Sequence, residues 1–283
     1  MKIKNLSIAI IMGCVSLITN KVLGQGDNYH QIDLTQCKWQ FRQTTEKKYL
    51  PATIPGTVHT DLINNGIIKD PYYRDNENSQ QWIGEQDWEY LTTFYVNEDV
   101  VNFENVELSF KGLDTYADVY LNDSLILQAN NFFREWVVNC KSLLNAGNNK
   151  LRIVFISSVK INKQANQQNP IPLSDDYVYT RKPSYHYGWD WGPIFITQGI
   201  WKPIYLNAWN DARINDIQIV QKSVDKKLAI IKAFIEIEAS KDFEGMVDLK
   251  ATDGSYVGSK KVNLKKGAQI VDFDFEIKNP KLW

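Results

Sequence analysis

The thirteen residues Arg181-Lys-Pro-Ser-Tyr-His-Tyr-Gly-Trp-Asp-Trp-Gly-Pro193 gather five rings, those of Tyr185, His186, Tyr187, Trp189 and Trp191, around a single carboxylate, Asp190. Flat rings stack on the C–H faces of a pyranose, and a carboxylate accepts hydrogen bonds from sugar hydroxyls. The same composition suits a loop whose rings plug the end of a β-sandwich, because buried Trp and Tyr pack and satisfy their polar tips locally. The residues by themselves leave both readings open. Gly188 and Gly192 flank the Trp189-Asp190-Trp191 triplet and leave room for unusual backbone angles. Arg181 reads as a structural partner for an acid. His186, a lone histidine beside tryptophans, reads as a hydrogen-bonded core residue rather than a base.

The elements that must carry this segment are strands. Leu91–Val96, Val106–Phe110, Ala117–Leu121, Leu125–Leu127, Leu151–Ile156 and Ile204–Leu206 alternate or run apolar over strand lengths. Asn122-Asp123 between two of them has hairpin chemistry, since both residues tolerate left-handed backbone angles. Many short strands at this spacing predict an all-β sandwich or jelly roll. One helical stretch stands out from Thr57 to Asn65, with Val58, Leu62 and Ile63 at helical intervals and Gly66 as a stop; His59 within it reads as packing or capping. From Ile161 to Asp176 the chain turns polar and amide-rich and reads as a long functional loop leading into the aromatic segment. Near residue 210 the pattern pauses, and a second strand series runs to the end: about seventy residues with four or five strands, short of the roughly 100 residues and seven strands of an immunoglobulin-like sandwich.

The 283 residues allow about two domains, and 43% apolar residues supply their cores. A formal net charge of -1 without long charge runs excludes an extended nucleic-acid surface. Lys260-Lys261 and Lys265-Lys266 read as a solvated face. At the start, Lys2 and Lys4 precede an apolar run from Leu6 to Ile18 and a small-residue Val22-Leu23-Gly24 site. Residues 1–24 therefore read as a cleaved export signal, with a periplasmic or secreted product and no membrane span after its removal. The run is shorter than the roughly 20 residues a spanning helix needs. Gly13-Cys14 faintly resembles a lipoprotein cleavage site, but the apolar stretch continues past it. In the mature chain Cys37 and Cys140 form either one disulfide or two buried thiols. No His, Cys, Asp and Glu cluster has metal-ligand spacing, and no cofactor motif occurs.

Six motifs then fall in a recognisable order: Pro55-Gly-Thr-Val-His-Thr-Asp-Leu62, Asp70-Pro-Tyr-Tyr-Arg-Asp75, Trp82-Ile-Gly-Glu-Gln-Asp-Trp-Glu-Tyr90, Gly112-Leu-Asp-Thr-Tyr-Ala-Asp-Val-Tyr-Leu-Asn122, Phe133-Arg-Glu-Trp136 and Arg181 to Pro193. In this order they resemble the amino-terminal part of the β-mannosidases of glycoside hydrolase family 2. The likeness covers residues 33–209 and weakens from 210 to 283. It implies a jelly-roll, galactose-binding-like domain over residues 25–210, then an incomplete immunoglobulin-like β-sandwich over residues 211–283. It also implies an exo-acting retaining enzyme whose (β/α)8 barrel carries both catalytic glutamates. No such barrel can be read in this sequence, so the chain alone is expected to be inactive.

By the same resemblance Trp189 and Asp190 are the expected contacts to a terminal mannose, Asp190 accepting from its hydroxyls. The expected partners are a β-mannoside or a mannose-containing oligosaccharide, and the chain's own barrel domain in a longer form. Asn97-Glu98 superficially matches the family's acid/base pair but follows a strand and opens a turn, so no catalytic residue is assigned. Trp82 and Trp88 correspond to structural positions in the family. The alternative is a free-standing secreted carbohydrate-binding module without catalysis.

Overall fold

The computed structural model of the chain describes residues 4–10, 28–170, 176–251, 256–280 and 282. The strands of its first half are β1 (Lys4–Ile10), β2 (Tyr29–Asp33), β3 (Trp39–Gln43), β4 (Leu50–Ala52), β5 (Trp88–Val96), β6 (Asn105–Phe110), β7 (Leu113–Asp114), β8 (Tyr116–Leu121), β9 (Ser124–Asn130) and β10 (Trp136–Asn139). They are followed by β11 (Gly147–Ile156), β12 (Gly199–Ile200), β13 (Ile204–Trp209), β14 (Ala212–Val224), β15 (Leu228–Ala239), β16 (Phe243–Ala251), β17 (Tyr256–Leu264) and β18 (Gly267–Lys278). Four short helices interrupt them: α1 (Val58–Asn64), α2 (Trp82–Glu85), α3 (Glu98–Val101) and α4 (Ser158–Gln168). The chain is predominantly β, as its alternating runs predict.

Two compact units divide at residues 207/208; of the described residues, the second also takes in 4–10, 28–30 and 103–105. The first unit is built on a six-stranded sheet ordered β4-β3-β5-β11-β8-β9, a four-stranded sheet ordered β10-β6-β13-β2 and the small β12-β7 pair. Its core is supplied by inward positions of these strands: Phe41, Tyr90, Val119, Leu121, Leu151, Ile153 and Phe155 from the larger sheet, Val106, Leu108, Phe110, Ile204 and Leu206 from the smaller. The period of two along β11, where Leu151, Ile153 and Phe155 are buried between partly exposed neighbours, sets the register of the central β5-β11-β8 ladder. Asn122 and Asp123 close the β8-β9 hairpin with φ of 47° and 68°.

Helix α1 forms where its composition predicts. Thr57 caps it, its hydroxyl accepting from the Thr60 amide while the Thr60 hydroxyl accepts from the Thr57 amide, and Gly66 follows with φ 68°. Asp61 sits on its buried face and bonds the Tyr90 hydroxyl at 2.7 Å and the Thr53 amide at 2.8 Å.

The polar stretch read as a long loop from Ile161 is largely a helix instead. Ser157 caps α4, and Ser158 and Asn162, four residues apart, form its buried side. A helix that buries hydrogen-bonding side chains carries no apolar period, so a search for apolar spacing misses it. Residues 171–175 of that stretch lie outside the described residues.

In the second unit β14-β15-β18 form one three-stranded sheet and β1-β16-β17 another. Along β15, Ile231, Ala233, Ile235 and Ile237 are fully buried and pack with Val247, Leu249, Val262 and Phe275. Lys260 and Lys261 lie exposed on β17. Of the residues read as an export signal, 4–10 form β1, which pairs in parallel with β16; residues 1–3 and 11–27 lie outside the described residues. Among the described residues no helix is long and apolar enough to cross a membrane. No repeating βα units occur among them, and Glu98 is an exposed residue in the first turn of α3.

Candidate functional site

The aromatic segment is a loop, residues 183–196, strung between a stem at Lys182 and a stem at Thr197. Pro183 opens it and Ser184–Tyr187 make one 3-10 turn, so the chain folds tightly before the tryptophans. Gly188 then takes φ 107°, an angle from which a side chain would be strained, and a Cβ there would also lie 3.0 Å from Ile194. Gly192, expected to share that role, does not adopt a positive φ; its amide instead bonds the Trp189 carbonyl at 3.1 Å, closing a narrow tip.

Three sets of contacts hold this loop. At the stem, the Lys182 ammonium pairs with Asp114, both side chains essentially without solvent exposure, and donates to the Thr197 carbonyl at 2.8 Å. On one flank Glu77 accepts from the Ile194 amide and Gln81 donates to the Ile194 carbonyl at 3.0 Å, fixing the two peptides on either side of this residue. On the other flank the Tyr187 hydroxyl donates to Ser158 at 2.9 Å and accepts from Asn162 at 3.1 Å, and its ring stacks on Tyr177. The buried polar face of α4 therefore exists to meet Tyr187 and, through the Asn162 carbonyl, Thr180.

The segment splits into an inner and an outer half. His186 faces inward: Nδ1 lies 3.2 Å from the Thr197 hydroxyl and the ring meets Phe132 edge-on. Burial, with the Lys182 charge adding to it, lowers its pKa to about 4, so it is neutral at pH 7, in keeping with a core histidine. Phe195 packs between His59 and Tyr72. His59 is buried, its pKa also lowered to about 4 by burial, and its Nδ1 has no hydrogen-bond partner among the described residues. Trp189, Asp190 and Trp191 face outward; Trp189 is 58% and Trp191 84% exposed, with their rings edge-to-face at 6.3 Å. Two exposed indoles on one braced tip are uncommon, since large aromatic side chains are usually mostly buried. The rings of this segment thus do both jobs considered for them, the inner ones packing and the outer ones left open beside a carboxylate.

Arg181 is tied through its backbone, its carbonyl accepting from the Phe132 amide at 2.9 Å. Trp88 is buried and bonds the Ile83 carbonyl at 3.0 Å, with Trp82 packed on it. Cys37 and Cys140 are both free thiols, so of the two readings the unpaired one holds. No group of three His, Cys, Asp or Glu side chains arranged for a metal occurs among the described residues. Sequence reasoning passed over Lys182, Glu77, Gln81 and Asn162, whose partners lie up to 117 residues away.

Residues 39–202 match the model of the glycosyl hydrolase 2 galactose-binding domain-like family. The chain belongs to that family. A β-mannosidase B of Thermothelomyces thermophilus is 33% identical over 257 residues, covering 87% of this chain and 29% of that protein. The β-mannosidase of Bos taurus is 35% identical over 189 residues, covering 62% of this chain and 21% of that protein. Among solved structures, a β-D-mannosidase from Dictyoglomus thermophilum superposes with a TM-score of 0.79 at 31% identity, over 90% of this chain and 32% of that one. The chain thus spans about a third or less of the length of these relatives and corresponds to the amino-terminal portion of a β-mannosidase-like glycoside hydrolase.

Proposed function

We propose that the chain is the amino-terminal part of an exo-acting, retaining β-mannosidase, and that its 183–196 loop forms one wall of the subsite for a terminal, non-reducing β-D-mannose. The observation that carries this reading is the outward half of that loop: Trp189, Asp190 and Trp191 stand exposed on a tip fixed from three sides. A preorganised wall of this kind loses little entropy when a sugar docks. One indole offers its face to the C–H side of the ring, and the Asp190 carboxylate accepts from hydroxyls.

Retaining hydrolysis needs two carboxyl groups about 5–5.5 Å apart, one as acid and one as nucleophile. The loop contributes a single carboxylate, so in this reading it holds and orients the sugar while a barrel supplies the cutting pair. The substrate is a β-mannoside or mannose-ended oligosaccharide, the partner is that barrel, and the site of action is periplasmic or extracellular. The similarity to β-mannosidases supports the choice of mannose over other pyranoses.

The purified chain tests both halves. With an aryl β-mannoside it gives no turnover; with methyl β-D-mannoside at high concentration the indole N–H resonances of Trp189 and Trp191 shift, and those of buried Trp39 and Trp88 do not. Hydrolysis by the chain, or indole signals indifferent to the sugar, would count against the reading.

A further inference from the structure

The stem of the loop holds a buried charge that packing alone does not require. Lys182 immediately precedes the loop and Thr197 immediately follows it, while Asp114 belongs to β7, which pairs with β12 in a two-stranded sheet with Asp114 opposite Gly199. The Lys182 ammonium has three hydrogens and three acceptors: Asp114 Oδ1, the Thr197 carbonyl at 2.8 Å and the Thr197 hydroxyl at 3.4 Å. Asp114 is equally committed, accepting from Thr197 through Oδ2 at 2.6 Å and from Thr115 through Oδ1 at 2.6 Å. One ammonium therefore ties the entry of the loop to its exit and both to the body of the unit.

Proton bookkeeping extends the network. The single hydroxyl hydrogen of Thr197 goes to Asp114 Oδ2, so the Thr197 oxygen can only accept from His186. That assigns neutral His186 as the Nδ1–H tautomer. His186 lies two residues before Gly188 and three before Trp189, so its ring passes the position of the stem on to the tip.

We infer that Lys182 is a positioning residue: its buried ammonium, seated on Asp114 and Thr197, sets where Trp189 and Asp190 project. The functional weight of this rests on the loop being a sugar wall, but the clamp itself is read without any sugar. A buried pair is weak evidence of stabilisation, since apolar replacement of both partners is often neutral or better whereas loss of one partner is costly. That asymmetry separates a positioning role from simple packing.

The test uses the 283-residue chain, with hydrogen exchange of the hydrogen-bonded loop amides, Gly188 and Gly192 bonded within the loop and Ile194 bonded to Glu77, compared with amides of β5 and β11. In Lys182→Met the loop amides exchange at least tenfold faster at fixed pH. In Lys182→Met with Asp114→Leu, which leaves no unpaired charge, the unfolding midpoint returns toward wild type while the loop amides still exchange at least tenfold faster. The double variant decides the matter should the single one fail to fold. A second readout is the 15N signature of the His186 ring: Nδ1–H in the wild type, and in Thr197→Val a shift toward the Nε2–H form usual for free histidine. The inference is overturned if the double variant recovers both its midpoint and wild-type loop protection, or if His186 is the Nε2–H tautomer in the wild type. A normal clamp result together with unperturbed sugar handling in Asp190→Ala would remove the sugar-wall reading alone.

Discussion

Acid should destabilise the first unit by an amount set by three buried groups. His59 and His186 are each lowered to about 4, by burial first and by the Lys182 charge next. A depressed histidine means that, as the pH falls through the ordinary 6.5, the unfolded chain takes up protons the folded one refuses. The stabilisation is complete above that value and is lost toward 4. Asp61 has the opposite sign. Burial raises it to about 6 against the pull of the Thr53 amide and Tyr90 hydroxyl, so its contribution is full below its ordinary 3.8 and is lost as the pH rises through 6. Glu89, whose burial is outweighed by Tyr49, Arg152 and Arg42, is held below its ordinary 4.5, so its contribution is present above that value and is lost mainly as the pH falls below the lower end of this range. Between pH 6.5 and 4.5 the two histidines forfeit at most about 5 kcal/mol and Asp61 returns about 2, a net loss of about 3 kcal/mol at about 1.4 kcal/mol per proton per pH unit. His59→Leu removes one histidine from the sum, about half of the histidine loss, and fills the same buried position, which cuts the difference to about half a kcal/mol. Urea unfolding at pH 4.5, 5.5 and 6.5, followed by tryptophan fluorescence, reads this unit because every tryptophan except Trp209 and Trp283 lies in it. Equal wild-type stability at the two extremes, or an undiminished difference in His59→Leu, would refute the reasoning.

Other outcomes follow from the same contacts. Asn162→Leu leaves the hydroxyls of Tyr187 and Thr180 short of a partner and should cost about 1–3 kcal/mol, measured as a lower urea midpoint; no change would mean that α4 does not brace the loop. Ile235→Ala empties the centre of β15 and should cost about 2–5 kcal/mol in the second unit, measured by circular dichroism. Alkylation followed by peptide mass spectrometry should modify Cys37 slowly in the native chain and Cys140 only after denaturation, because burial raises the pKa of Cys140 to about 12. The same peptides should need no reductant. A Cys37–Cys140 peptide released only by reductant would contradict the free-thiol assignment.

What was legible in the sequence was whatever the local chain decides. The β11 alternation, the Asn122-Asp123 turn and the Thr57-capped helix each depend on neighbours within a few residues, and each formed as their chemistry predicts. Helix α4 was hidden because its inner face is made of Ser158 and Asn162, so neither apolar spacing nor charge pairing marks it. The aromatic segment was visible as composition, but its division into an inner His186 and Tyr187 and an outer Trp189 and Trp191 depends on partners from β7, α4 and the Asn76–Gln81 stretch. Lys182 shows the limit most clearly. Between an arginine and a proline it reads as one more surface cation, and only the fold brings Asp114 to it from 68 residues away.

The central claim is that Asp190 holds the terminal sugar. The direct measurement is kcat/KM for an aryl β-mannoside in a longer form that joins this chain to the proposed barrel, with and without Asp190→Ala. Loss of hydroxyl contacts made in the transition state should lower kcat/KM at least tenfold, about 1.4 kcal/mol, with the loop amides still protected. A variant with an unchanged kcat/KM would contradict the account and take Asp190 out of the subsite.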